Sequence, residues 1–403
     1  MPFPPLWNRH VPTVWIIIVV LHAAALARAN NESPPPPPPL ATGATSANAP
    51  ASLDEPCAAP EPTPTPGDGH ETPQTLAPVV KIGGLWYLSY QGLDADPSAF
   101  LIKRGYINIE TLVLPNMSAR ITPDVTVDAT GDLKVRLKYA YAKFHAPDLG
   151  FLTRPEVEVG VVHMPWLDFE EHINLYRMQD TMFLERNGLF NSADLGLTFM
   201  ALLGGTVADD YQKSVSAHYP GRWGSIAFGV YNGGGYHAAE KNDNKVVEGR
   251  LTVRPLPDVL PGLQFSLFAI RGKGNIIAEP DWQVNAVMGS YQSRHFVFTA
   301  QWTDAIGNQK GTALSPLGRS LERDGTSIFV EGRLTPRWSV ILRHDTFDPD
   351  RRTGGDENDR AIIGLAYHLG KGNTILLDLD HLSFDHPAHP SMNRLQLTLQ
   401  VKY

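Results

Sequence analysis

From about Val79 onward the chain alternates apolar and polar positions with period two, in segments of roughly ten residues, the length a tilted strand needs to cross a bilayer. In one segment Leu133, Val135, Leu137, Tyr139 and Tyr141 alternate with Lys134, Arg136, Lys138, Ala140 and Ala142, which predicts a strand with an oily face and a cationic face. In the last, Leu395, Leu397, Leu399, Val401 and Tyr403 alternate with Arg394, Gln396, Thr398, Gln400 and Lys402. Ending on an aromatic residue resembles the C-terminal assembly signal of outer-membrane barrels. The pattern recurs at Val247–Val253, Leu263–Leu267, Phe296–Trp302, Val330–Leu334 and Ile363–Tyr367. About 16 such segments fit, an even number as single-chain bacterial barrels require. The expected fold is therefore all-β, an antiparallel transmembrane β-barrel over 79–403.

Connection lengths agree in the second half. Short links near Gln292–Ser293, Pro336–Arg337 and Gly370–Gly372 alternate with long polar ones around 304–324, 348–359 and 383–392. With Tyr403 on the periplasmic side, the long ones face outward. Trp86, Tyr87, Trp302, Trp338, Tyr367 and Tyr403, near segment ends, suit interfacial aromatic girdles.

The stretch Pro165–Ser192 breaks the periodicity. It carries Asp168, Glu170, Glu171, Arg177, Glu185 and Arg186 among Phe169, Leu175, Tyr176, Met182, Phe183 and Leu184. A solvated surface loop is the bland alternative, but these side chains are too apolar for a wet tip, so the expectation is a loop folded into the barrel as a constriction.

Upstream, Arg9 and the run Val14–Leu21, followed by Ala27-Arg28-Ala29, read as a signal peptide over 1–29. Residues 30–78, dominated by Pro, Ala and Thr, read as a disordered Pro-rich periplasmic leader. The lone Cys57 supports neither a disulfide framework nor a lipid anchor. Of the net charge of −8, the leader contributes −6 and the first 29 residues +2, leaving the barrel region at −4 with 32 basic and 36 acidic groups. That near balance argues against nucleic-acid binding.

If the apolar faces meet lipid, the opposite faces line a watery lumen. Lys134, Arg136, Lys138, Arg250, Arg333, Arg343 and Arg394 are the expected basic lining, with Glu248, Arg254, Glu331, Asp345, Asp378, Asp380 and Lys402 on the same wall. Any one of these charges has a plainer reading, as a solvated or cross-strand-paired group. No nucleophile elbow is present, so no enzyme is expected. Gly233–Gly235 lacks the helix and Lys-Ser or Lys-Thr pair of a phosphate cradle. The histidines and aspartates over 380–389 show no ordered ligand spacing, so neither metal nor cofactor is expected.

The block His163-Met164-Pro165-Trp166-Leu167-Asp168-Phe169-Glu170-Glu171, then Phe183–Arg186, Asp194–Leu197 and Phe228–Gly235, in that order, resembles the phosphate-selective porin O and P family over about residues 79–403. The resemblance implies a 16-stranded, usually trimeric porin with an inward loop, placed in the bacterial outer membrane. Its partners would be the bilayer, lipopolysaccharide, small hydrophilic or anionic solutes and further copies of the chain. The sequence departs from phosphate-selective members in showing no dense ladder of pore arginines and lysines. The expected function is passive diffusion, with a preference for anions if bases crowd the narrowest point. The competing reading is a non-conducting barrel serving as a structural or adhesive anchor.

Overall fold

The computed structural model describes residues 80–403 apart from 95, 96, 129 and 387, so the signal peptide and leader expected over 1–78 lie outside the described residues. Sixteen strands follow in order: β1 (Val80–Leu93), β2 (Ala99–Leu114), β3 (Met117–Val127), β4 (Leu133–His145), β5 (Leu152–His163), β6 (Ala193–Leu203), β7 (Gly224–Tyr231) and β8 (Val246–Val253). The second half adds β9 (Leu263–Lys273), β10 (Asp281–Gln292), β11 (Phe296–Ile306), β12 (Glu322–Arg333), β13 (Trp338–Asp348), β14 (Asn358–Gly370), β15 (Asn373–Phe384) and β16 (Met392–Lys402). Each pairs antiparallel with its neighbours in sequence, and β1 closes on β16 from Leu85↔Lys402 to Leu93↔Arg394. Closure leaves no edge, so outside the bulges the ladder groups find their partners inside the sheet.

The alternation does what a bilayer requires. On β9, Phe265 and Leu267 point outward while Gln264, Ser266, Phe268 and Ile270 are buried inside. Leu342, Ile363, Leu365, Leu377, Leu379, Leu395 and Leu397 continue the apolar exterior through β13–β16.

On β4 the expected faces are corrected. Thr122 pairs with Tyr139 but Pro123 pairs with Leu137, so Lys138 is an extra residue in the ladder. Proline has no N–H to give, and a bulge is where a sheet tolerates that gap. Past it the faces swap: Leu133, Val135 and Leu137 are 61%, 69% and 45% exposed, whereas Lys138, Tyr139 and Tyr141 are 4%, 6% and 8% exposed. Tyr139 and Tyr141 thus leave the oily face for the interior. A bulge between Tyr87 and Leu88 accompanies a second change, because Tyr87 is buried inside rather than sitting in the girdle. Trp338 and Tyr367 keep a girdle position, with ring centres 4.7 Å apart near the Tyr403 end.

The short links of the second half appear at 293–295, 334–337 and 371–372, on the Tyr403 end. Two connections at that end depart from the rule of long loops outside: 254–262 is of middling length, and 204–223 is long and carries a short helix (Asp209–Ser214). Its Val207 and Tyr211 are buried, so it is held against the barrel rather than left in solvent.

The outward face of β9 yields a stability prediction. Leu267→Arg places a charge on the lipid face near mid-strand and is expected to destabilise the folded barrel by about 2–4 kcal/mol in urea titrations of vesicle-folded protein. Leu267→Met is expected to stay within about 1.5 kcal/mol of the parent.

Candidate functional site

The connection 164–192 enters the barrel because its apolar side chains find partners only there. It contains two short helices, α1 (Leu167–Glu171) and α2 (Phe183–Arg186), so the helix at Asp209–Ser214 is α3. Trp166 lies with its ring 5.0 Å from Phe268 on β9, and Phe183 meets Phe347 on β13 at 6.1 Å. Met164, Leu167, Met178, Met182, Leu184 and Leu189 are buried with them. The Tyr176 hydroxyl donates to Glu331 on β12 at 2.8 Å, and Arg250 Nε on β8 donates to the Pro165 carbonyl at 2.8 Å. Lys103 Nζ on β2 donates to the carbonyls of Met178 and Gln179, each at 2.8 Å. One segment touching strands so far apart around the wall can do so only from within the lumen.

Charges fix the seat. Asp180 receives Arg394 at 3.0 Å, and Asp380 on β15 receives Arg360 at 2.7 Å and Arg394 as well. Arg186 pairs with Asp345 at 3.0 Å, and Asp345 also holds Arg343 at 2.9 Å. Arg177 ties the loop to itself through Glu171 at 2.8 Å and Glu185 at 3.1 Å. Burial opposes charge on Asp180, but Arg186, Lys103 and Arg394 overcome it and hold its carboxyl well below the usual range. Glu170 has weaker help: burial pushes its carboxyl up to about 7, against the Arg343 charge and a hydrogen bond from Trp166 Nε1 at 2.9 Å.

The expected site residues therefore separate into two groups. Arg250, Arg343 and Arg394 face inward yet serve as anchors, with Arg250 also stacked 4.1 Å from the Phe169 ring. Arg333 pairs with Glu331 at 3.0 Å beside the Tyr176 anchor. Lys134, at the opposite end of β4, is exposed and paired with Asp128 at 2.7 Å, and Arg136 is half-buried. Lys138 lies deepest, with its ammonium 4.5 Å from the centre of the Tyr106 ring and 5.3 Å from that of Tyr139. In the loop, Asp168, Glu170, Glu171, Arg177, Glu185 and Arg186 are all engaged: Asp168 accepts from the Tyr219 hydroxyl at 2.5 Å, and the others bond as above.

The loop packs on the β8–β16 side and leaves a cavity of 630 Å³ against β3–β5, walled by Arg120, Tyr141, Lys143, Glu156, Glu158 and His163 and floored by Asp168 and His172. Lys143 lies between Glu156 at 2.8 Å and Glu158 at 3.2 Å, and Arg120 sits 5.1 Å from the Tyr139 ring. Arg104 and Asp124 pair at 3.2 Å, bridged by the Tyr236 hydroxyl from the β7–β8 connection. The cavity wall is therefore mixed in charge: Arg120 and Lys143 share it with Glu110, Glu156 and Glu158, and Asp168 of the loop faces them. Sequence reasoning missed Arg104, Arg120 and Tyr106 and put Tyr87 in the girdle, because bulges on β1–β4 interrupt the alternation that would have marked them.

Beneath the loop, the His172 and His218 rings stack at 3.7 Å. Burial works against a charge on His172, but Asp168 beside it raises the imidazole to about 9. Partial burial and the His172 charge hold His218 down, to about 4.

No protein-family model matches the chain, and no curated protein matches it. Solved structures do. A loop-deletion mutant of OmpT, an outer-membrane protein of Vibrio cholerae, aligns with TM-score 0.56 at 10% identity over 81% of this chain and 100% of that one. An anion-selective porin from Comamonas acidovorans gives the same four values. OmpF of Salmonella typhi aligns with TM-score 0.51 at 9% identity over 80% of this chain and 97% of its own. The fold is the 16-stranded barrel of bacterial outer-membrane proteins.

Two outcomes follow from the loop seat. Asp180→Ala is expected to cost about 1–3 kcal/mol of folding stability, less than a fully buried pair because Asp380 still serves both arginines, and to open the loop to trypsin at Arg177 and Arg186. Glu170 keeps its proton to about 7 when folded, against an ordinary value of 4.5, so its contribution is complete below 4.5 and is lost as pH rises through about 7. Urea midpoints measured from pH 4.5 to 8 are expected to fall over that window, and Glu170→Gln to flatten the fall.

Proposed function

We propose that the chain is an outer-membrane porin through which small hydrophilic solutes diffuse passively, with a preference for anions. The observation that carries the reading is the inward loop, seated on the β8–β16 wall by arginine–carboxylate pairs while a cavity with charged side chains in its lining stays open against β3–β5. A loop that only filled the barrel would have no need of a cavity with charged walls beside it.

The passage works by shape and charge. A solute entering between the loop and the β2–β5 wall sheds bulk water in a space bounded by protein, where each charge acts more strongly than in solution. Arg120 and Lys143 on the wall, interleaved with Glu156 and Glu158 and facing Asp168 of the loop, orient dipolar solutes across the opening. Lys138, buried beside the wall with the aromatic faces of Tyr106 and Tyr139 rather than a hydrogen-bonded carboxylate as its close partners, adds positive charge behind the cavity and supports the anion preference. In this orientation the Tyr403 end is periplasmic, and the apolar exterior meets lipid and lipopolysaccharide. A homotrimeric assembly and membership of the phosphate-selective porin O and P family rest on the motif resemblance around 163–171 and 183–186.

Planar-bilayer recording of the refolded chain in a salt gradient tests this. Discrete steps with a reversal potential on the anion side are expected. Lys138→Gln is expected to lower the anion-to-cation permeability ratio about two- to five-fold, the effect of roughly 0.4–1 kcal/mol of attraction. Absence of steps from protein shown to be folded would instead favour a non-conducting anchor.

A further inference from the structure

The long connection 204–223 has no place in a barrel that needs only a tight turn at its Tyr403 end, and its contacts run inward. Its stem is a short hairpin: Thr206 bridges Gly221, Val207 N donates to the Pro220 carbonyl at 2.8 Å, and Arg222 N donates to the Gly205 carbonyl at 2.9 Å. From this stem α3 reaches sideways beneath the barrel. Arg254, at the end of β8, lies over the Tyr211 ring at 5.5 Å, and Asp210 accepts two hydrogen bonds from Arg294 in the β10–β11 turn, at 2.8 and 3.0 Å. The returning strand of chain then climbs to the constriction loop. His218 stacks on His172, while Tyr219 donates to Asp168, sets its ring edge on Phe169 at 5.1 Å and lies under Arg250 at 5.0 Å.

Two cavities flank this segment. The 630 Å³ cavity against β3–β5 has His218 and Tyr219 in its lining. A second, of 590 Å³, lies toward the β12–β16 side and is lined by Ser214 together with Tyr176, Arg333 and His368. The connection therefore borders both spaces, with His218 and Tyr219 on one and Ser214 on the other.

Resting on the porin reading, we infer that residues 204–223 form a second size-limiting element in series with the constriction loop. The tip, from Ser214 to Tyr219, closes with His172 and Asp168 into a window at the Tyr403 end and confines solutes to the β3–β5 side. The two contacts differ in kind. The Asp210–Arg294 pair is solvent-exposed and holds α3 loosely, whereas Tyr219 is packed between Phe169 and Arg250, so the tip is registered to the loop. Because the tip rests on Asp168 and His172, the two narrow points are set by one piece of chain.

The test is single-channel conductance together with exclusion of graded polyethylene glycols added from either side. It compares the full chain with a variant in which residues 208–219 are replaced by two glycines, and with the milder double substitution His218→Ala/Tyr219→Phe. Folding of each is verified by heat-modifiable gel mobility. The expected result is a rise in conductance of about 1.5-fold or more for the shortened variant and a smaller rise for the double substitution. The polymer cut-off is expected to move to larger sizes from the Tyr403 side only. Folded variants with parental conductance and parental cut-off, in a protein that does conduct, would overturn the inference and leave the porin reading intact. A folded parent chain that shows no steps would overturn both.

Discussion

A backbone crossing hydrocarbon must find a partner for every N–H and C=O within the protein, and a sheet can do so only by closing. The β1–β16 ladder completes this ring, and the inside and outside of the barrel follow from it. Closure forces one face of every strand toward lipid and the other toward a common interior, so a two-residue period in the sequence becomes an inside and an outside. With sixteen strands the interior is wider than wall side chains alone can fill. That surplus space is what the connection 164–192 occupies.

Filling a lumen with chain imports backbone polar groups and charges into a place with little water, and the seat of the loop shows how they are satisfied. Main-chain carbonyls of Pro165, Met178 and Gln179 accept from Arg250, Lys103 and Gln396, and Asp180 and Arg186 enter ionic networks on β14–β16 and β13. Such networks add less to stability than their geometry suggests, since each charge also had to be desolvated. Their value here is register: a loop that met only oily walls could slide, while one whose ions must find fixed arginines has a single position. The position chosen leaves β3–β5 uncovered, and the connection 204–223 then leans on the same loop from below.

Strand alternation was legible wherever the ladder runs without interruption, as on β9 and β13–β16, because the period there maps directly onto lipid and lumen. It was misleading on β4, where Pro123 on the partner strand forces a bulge at Lys138 and turns Tyr139 and Tyr141 inward; nothing in the sequence of β4 itself marks that reversal. The break in periodicity over 165–192 and its apolar content pointed to an inward loop. Which lumen charges hold the loop and which face open passage was not legible, because Arg250, Arg343 and Lys138 have the same signature on a strand and differ only in what lies across from them. The connection 204–223 went unread for a related reason: a polar, glycine-bearing stretch looks the same whether it hangs in solvent or folds back on Asp168 and Phe169.

Thiol accessibility reads whether the loop lies packed in the lumen with the cavity against β3–β5 left open beside it. In a Cys57→Ser background, single cysteines at Ser118 and Lys143, which face the 630 Å³ cavity, would be compared with one at Ser327, buried against Asp345. A charged, membrane-impermeant thiol reagent is predicted to modify Ser118→Cys and Lys143→Cys readily in the folded protein and to leave Ser327→Cys untouched until the barrel is unfolded. Equal rates at all three positions would mean that the loop does not occupy the lumen, and the account would be wrong.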